Sequence, residues 1–133
     1  VAYDEKLVRI SQLLESAGTE APAWILKMKP GSRPDAVFGA NDTVAAHCML
    51  ALLEAGVRIP DDIAIAGFNN DPISRIVSPA LTTVDYPSYR LGDTAMKSLL
   101  EQLNGLPGAG NTNSIILKSE LIIRASSQKK TSL

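Results

Sequence analysis

Apolar positions along the chain fall into short runs separated by polar turns, and their spacing alternates between strand-like and helical. Leu7, Val8 and Ile10 follow the turn-like Tyr3-Asp4-Glu5 and fit a strand, although Leu7, Ile10, Leu13 and Leu14 also share one helical face. Ser16 to Met28 is helical in content, with Trp24, Ile25 and Met28 spaced for one buried face. Pro22 interrupts it, and an interior proline costs about 3 kcal/mol, so the helix is expected to start near Thr19 or to kink. Lys29 to Pro34 is a loop, and Asp35 to Ala40 reads as a buried strand. Asn41-Asp42-Thr43 then opens a helix with Asp42 as its expected N-cap. Val44, Ala45, Cys48, Met49 and Leu52 form the apolar stripe of that helix, which Gly56 ends. A tight stretch, Val57 to Asp62, leads into a second buried strand, Ile63 to Phe68.

Strand, helix and strand with short connections make a βαβ unit, which implies an α/β fold with a parallel sheet covered by helices on both faces. Both strands end in amides: Asn41 after the first, Asn69 and Asn70 after the second. Ligands of open parallel sheets bind beyond the carboxyl ends of the strands. An amide both donates and accepts, which suits a small polyol or sugar. The competing readings are local: Asn41 as a helix-start residue and Asn69 as a turn former.

Beyond Asp71-Pro72 the pattern is irregular until Leu81-Thr82-Thr83-Val84, a β-prone run ending before Pro87. Arg90 to Leu103 is an amphipathic helix with Leu91, Ala95, Leu99 and Leu103 on one face and Met96 and Leu100 beside it. Asn104-Gly105 ends it, Leu106 to Asn113 is a Gly-rich loop, and Ser114–Lys118 and Glu120–Arg124 are strand-like.

Composition narrows the chemistry. At 133 residues the chain suffices for one modest core and not for two complete domains. A formal charge of -1 leaves no basic footprint for nucleic acid. No apolar run approaches the roughly 18 residues of a membrane span. Cys48 and His47 are the only residues of their kinds, which excludes an internal disulfide and a cysteine zinc site, and no nucleophile elbow or phosphate loop is present. No metal, cofactor or catalytic set is therefore expected, and the protein is not expected to be an enzyme. The chain begins at Val1, so a natural N-terminus upstream is expected.

Three blocks resemble the lactose-repressor (LacI/GalR) family of transcriptional regulators: Pro34 to Asp42 continuing through Gly56 to Ile63; Gly67 to Asn70 followed by Pro79 to Val84; and Leu121 to Ser127 with its closing R-x-S. The resemblance implies a three-layer, periplasmic-binding-protein-like fold, present in part and mainly as its C-terminal subdomain. On that reading residues 1–133 are part of one effector-binding domain. Residues from about 5 to 80 and 114 to 126 would form the C-terminal subdomain, and about 81 to 105 would contribute to the N-terminal one. The family's alignment favours a strand for Leu7–Ser11.

The same resemblance implies effector contacts at Asn41, Asn69, Gln12, Leu13 and Tyr86, with Ser88 also near the hinge crossing. Leu13 stands where the family often stacks an aromatic on its ligand, and Asn69 where many members carry aspartate. Ile73, Ile76, Val77 and Pro79 are implied at a dimer interface. The partners implied are a small effector, a sugar or related metabolite, a second copy of the chain, and operator DNA only through a missing N-terminal helix-turn-helix. A cytoplasmic regulator with no membrane contact follows. A periplasmic sugar-binding protein of a transporter is the alternative on the same fold.

Overall fold

In the computed structural model, residues 4–10, 15–105 and 114–129 are described. The chain divides into two compact units, one comprising Val1–Asp85 with Leu121–Leu133 and the other Tyr86–Glu120.

The first unit is built on helix α1 (Glu15–Lys27), strand β1 (Ala36–Phe38), helix α2 (Asp42–Glu54), strand β2 (Ala64–Phe68), the single-turn helix α3 (Ile73–Ile76) and strand β3 (Thr82–Asp85). The short β4 (Glu120–Ile122) completes a sheet of order β1-β2-β3-β4. The β1–β2 and β2–β3 pairings are parallel: Val37 lies opposite Ile65, and Gly67 opposite Thr83. That is the expected α/β architecture.

α2 is central. Ala45, Cys48, Met49 and Leu52 pack with Ile25 of α1, with Ile63 and Ile65 of the β2 run, and with Val57 and Leu81. α1 approaches α2 closely because position 18 lacks a side chain; a Cβ on Gly18 would collide with the His47 Cβ. Gly39 does the same service at the end of β1, where a Cβ would stand 2.8 Å from the Ala45 Cβ.

Several expectations change. Pro22 sits buried within an α1 that already begins at Glu15, so the helix does not start near Thr19. It tolerates the lost N–H because its ring joins the fully buried side chains. Leu7–Ser11 is not a strand where it is described: Glu5–Leu7 forms a 3-10 turn capped by the Asp4 carboxylate, and Ile10 is 96% exposed. Among the described residues β1 consequently has only β2 beside it, and its burial differs from the buried strand expected, with Ala36 and Phe38 exposed and only Val37 half-buried. Ser114–Lys118 forms no strand, and Ile115 and Ile116 are exposed; an extended run needs a partner for its backbone, and the sheet's fourth position is taken by Glu120–Ile122.

The second unit is dominated by helix α4 (Ser88–Leu103), two residues longer at its start than the apolar pattern required. It buries no residue; Leu91, Met96, Leu99, Leu100 and Leu103 are all exposed. Lys97 pairs with Asp93 one turn earlier at 2.8 Å.

Candidate functional site

Parallel pairing brings the carboxyl ends of β1, β2 and β3 to one end of the first unit's sheet, and the polar residues following them meet there. Asn41, in extended backbone, is the actual N-cap of α2; its side-chain oxygen accepts the Val44 N–H at 2.8 Å. Asp42, the expected cap, is displaced from that role. Its carboxylate turns inward, is fully buried, and accepts the Thr83 hydroxyl at 2.6 Å and the Asp71 backbone N–H at 2.7 Å. Burial raises its pKa above the usual carboxylate value, outweighing those two hydrogen bonds, which pull the other way. The carboxylate fits only because residue 67 is glycine, where a Cβ would overlap its Oδ1 and crowd Leu81.

Asn69 and Asn70 form the turn leaving β2. Both hold positive φ, 107° and 56°, a region that costs a non-glycine residue on the order of 1–3 kcal/mol. The turn is tied at every residue. Asn69 donates its backbone N–H to Val84 O at 3.0 Å, and its exposed side chain reaches Asp71 at 3.5 Å. The Asn70 N–H donates to Thr83 Oγ1 at 3.2 Å, while its side-chain amide donates to Asp85 Oδ1 at 3.2 Å. The Asn70 side-chain oxygen accepts from Arg124 Nη2 at 2.8 Å.

Arg124 is the hub. Its Nη1 donates to Ser74 Oγ at 2.9 Å and to the Leu81 carbonyl at 2.8 Å, and its backbone N–H donates to Thr82 Oγ1. Ser74 in turn donates to the Asp71 carbonyl at 2.6 Å. Ser126, fully buried, bridges the Thr82 N–H and the Ile65 carbonyl. The closing Arg-x-Ser thus locks the chain's end to β2 and β3.

Of the residues singled out by sequence, Asn41 and Asn69 stand at the ends of adjacent strands as expected. Each also performs the local task weighed against effector contact, one as a helix cap and the other in a turn. The Asn41 oxygen already accepts the Val44 N–H, and its amide N–H groups are the donors it can offer a ligand. Gln12 and Leu13 lie outside the described residues. Tyr86 and Ser88 belong to the second unit, where the Ser88 N–H donates to the Tyr86 carbonyl at 2.7 Å. Ile73 and Pro79 are half-buried, Ile76 is 79% exposed, and Val77 packs against the core. Sequence reasoning missed Asp42, Asn70, Thr83 and Arg124 as a network. Its signal was two consecutive threonines in a β-prone run, where a hydroxyl that becomes buried needs a partner.

A separate cavity of about 550 Å³ opens among α1, β1, α2 and the Leu7–Ile10 segment, lined by Trp24, Phe38, Val44 and Cys48 among others. Arg9 lies over the Trp24 ring at 3.9 Å. Neither Asn41 nor Asn69 lines it.

Comparison with known proteins is consistent along the chain. Residues 2–127 match a family model described as a periplasmic binding protein-like domain. The chain is 39% identical over 97 residues to the lactose operon repressor of Rhizobium radiobacter, covering 73% of this chain and 83% of that one. It is 46% identical over 103 residues to the HTH-type transcriptional repressor PurR of Vibrio atlanticus, covering 77% of this chain and 30% of the repressor. Among solved structures, the complex of the transcriptional regulator CelR with cellobiose superimposes with a TM-score of 0.79 at 26% identity, covering 95% of this chain and 37% of that one. The chain therefore spans most of one relative but only about a third of the other two.

Proposed function

The chain belongs to the LacI family of transcriptional regulators, within their periplasmic-binding-protein-like domain, and from that premise we propose that it is the effector-sensing part of such a regulator and takes a sugar. The observation that carries the reading is the placement of Asn41 and Asn69 beyond adjacent parallel strands, with Asn69 exposed on a turn that the protein holds in a costly backbone conformation. Uncharged amides at that edge suit hydroxyl-rich ligands. A solved regulator of similar fold is complexed with cellobiose, and another relative represses a lactose operon, which supports a disaccharide as the class to try first. The repressor relatives favour a regulator over a transporter's binding protein, and the function is recognition rather than catalysis.

In this reading the first unit, β3 included, is the C-terminal lobe, while residues 86–105 contribute to a second lobe whose remainder lies elsewhere in the full protein. Two copies associate through Ile73, Ile76, Val77 and Pro79, and DNA is bound by an N-terminal head. A two-fold arrangement suits a palindromic operator. Effector binding biases the heads only through different affinities for the two lobe arrangements.

The test uses the full-length protein with lactose and cellobiose in calorimetric titration. Asn41→Asp keeps the capping oxygen and removes the amide donors; Asn69→Gly tolerates φ 107° and removes the side chain. Both are expected to weaken binding by about tenfold or more, as loss of a buried polar contact does. Wild-type affinity in both variants would refute the site.

A further inference from the structure

Asparagine tolerates left-handed backbone better than other side chains, yet two in succession are held best where their surroundings fix them. Here the determining groups are four residues from three other places in the fold: Asp42 on α2, Thr83 and Asp85 on β3, and Arg124 near the chain's end. We propose that Arg124 and Asp42 are positioning residues for the Asn69–Asn70 turn, holding it preformed so that Asn69 meets an effector without a conformational search. The proposal rests on the effector reading above and adds how that site is set.

The geometry assigns each residue a distinct part. The Arg124 guanidinium is fixed first, through one nitrogen that donates to both Ser74 Oγ and the Leu81 carbonyl. Its other nitrogen is then committed in direction and fixes the Asn70 side chain. A lysine, with a single nitrogen, cannot reproduce both arms. On the other side, Thr83 orients one oxygen of Asp42, and the second oxygen receives the Asp71 N–H immediately after the turn. With the Asn69 N–H bonded to Val84, the turn is tied before, within and after its left-handed pair. A site that is competent only part of the time binds more weakly in proportion to that fraction. Loosening the clamp should therefore lower affinity without removing any effector contact.

Asn70→Gly separates the alternatives, because glycine accepts φ 56° while losing the bonds to Arg124 and Asp85. In the full-length protein without effector, amide exchange at Asn69, Asn70 and Asp71 is expected to accelerate about tenfold or more in Asn70→Gly and Arg124→Lys. The thermal midpoint of Asn70→Gly should stay near that of the wild type. Titration with cellobiose and lactose should show about tenfold weaker binding in Asn70→Gly for whichever sugar the wild type binds. Unchanged exchange in both variants, or wild-type affinity in Asn70→Gly beside lost affinity in Asn69→Gly, overturns the clamp and leaves the effector reading standing. Accelerated exchange together with wild-type affinity in Asn69→Gly overturns the effector reading instead, and the positioning proposal with it.

Discussion

Helices α2 and α4 are of similar length and both carry strong apolar positions, yet one is the centre of the core and the other buries nothing. α2, of 13 residues, is apolar on most sides; six of its residues are buried among α1, the sheet and α3. α4, of 16 residues, has a cleaner separation of apolar and polar faces, and all five of its leucines and methionine at positions 91, 96, 99, 100 and 103 are exposed. The better amphipathic pattern belongs to the uncovered helix. A periodic stripe states which face wants a partner and is silent on whether this chain supplies it. A helix apolar all round needs cover on several sides, which only the middle of a fold provides.

That contrast predicts a steep gradient in mutational cost. Leu52→Ala, fully buried on α2, should cost about 2–5 kcal/mol in urea unfolding of this chain, since the lost methyl groups leave a cavity. A loss below about 1 kcal/mol would place α2 outside the cooperative core.

Asp42→Asn comes next, at about 1–3 kcal/mol near neutral pH, because the Thr83 hydroxyl and the Asp71 N–H donate to different carboxylate oxygens, and the amide nitrogen that replaces one of them cannot accept. The pH profile adds a sign. Burial raises the folded pKa of Asp42, so its contribution is complete below the unfolded value, about 3.9, and declines as pH rises through the folded value. Denaturation midpoints measured upward from pH 3.5 should show that decline in the wild type and lack it in Asp42→Asn.

On α4, Leu99→Ala should change the stability of this chain by no more than about 0.5 kcal/mol, half its side chain being already in water. The same substitution in full-length protein should cost several times more if other parts of that protein cover the face, and comparing the two measures that cover directly. Smallest of all, Lys97→Ala removes an exposed one-turn ion pair with Asp93 and should cost about 0.3 kcal/mol, fading with added salt.

The legibility of the sequence follows the same division. The βαβ unit and its parallel pairing were readable because α2, β2 and the turns between them satisfy one another within about thirty residues. The strand expected at Leu7–Ser11, over its described residues 7–10, and the one at Ser114–Lys118 misled because β-propensity becomes a strand only beside another strand. At the site, Asn41 and Asn69 were legible from their place after apolar runs. Arg124 and Asp42 were not, because their partners lie 29 to 54 positions away and no local spacing encodes such bonds. The swap of roles between Asn41 and Asp42 shows the same limit: both can cap, and the waiting Thr83 and Asp71 decided which one did.

Cys48 turns the interior of α2 into a clock. It is the chain's single cysteine, 2% exposed, with its thiol pushed by burial up to about 11. At neutral pH very little thiolate exists in the closed protein, and with 2% of the residue exposed a reagent can approach it only through the cavity it lines. Labelling by a thiol-reactive dye too bulky to enter that cavity must wait for an opening event, after which the freed thiol reverts to a pKa near 8.5. The labelling rate therefore counts openings of the α1–α2 interior directly, with no engineered probe, and any sugar that tightens the first unit will slow it in proportion to occupancy.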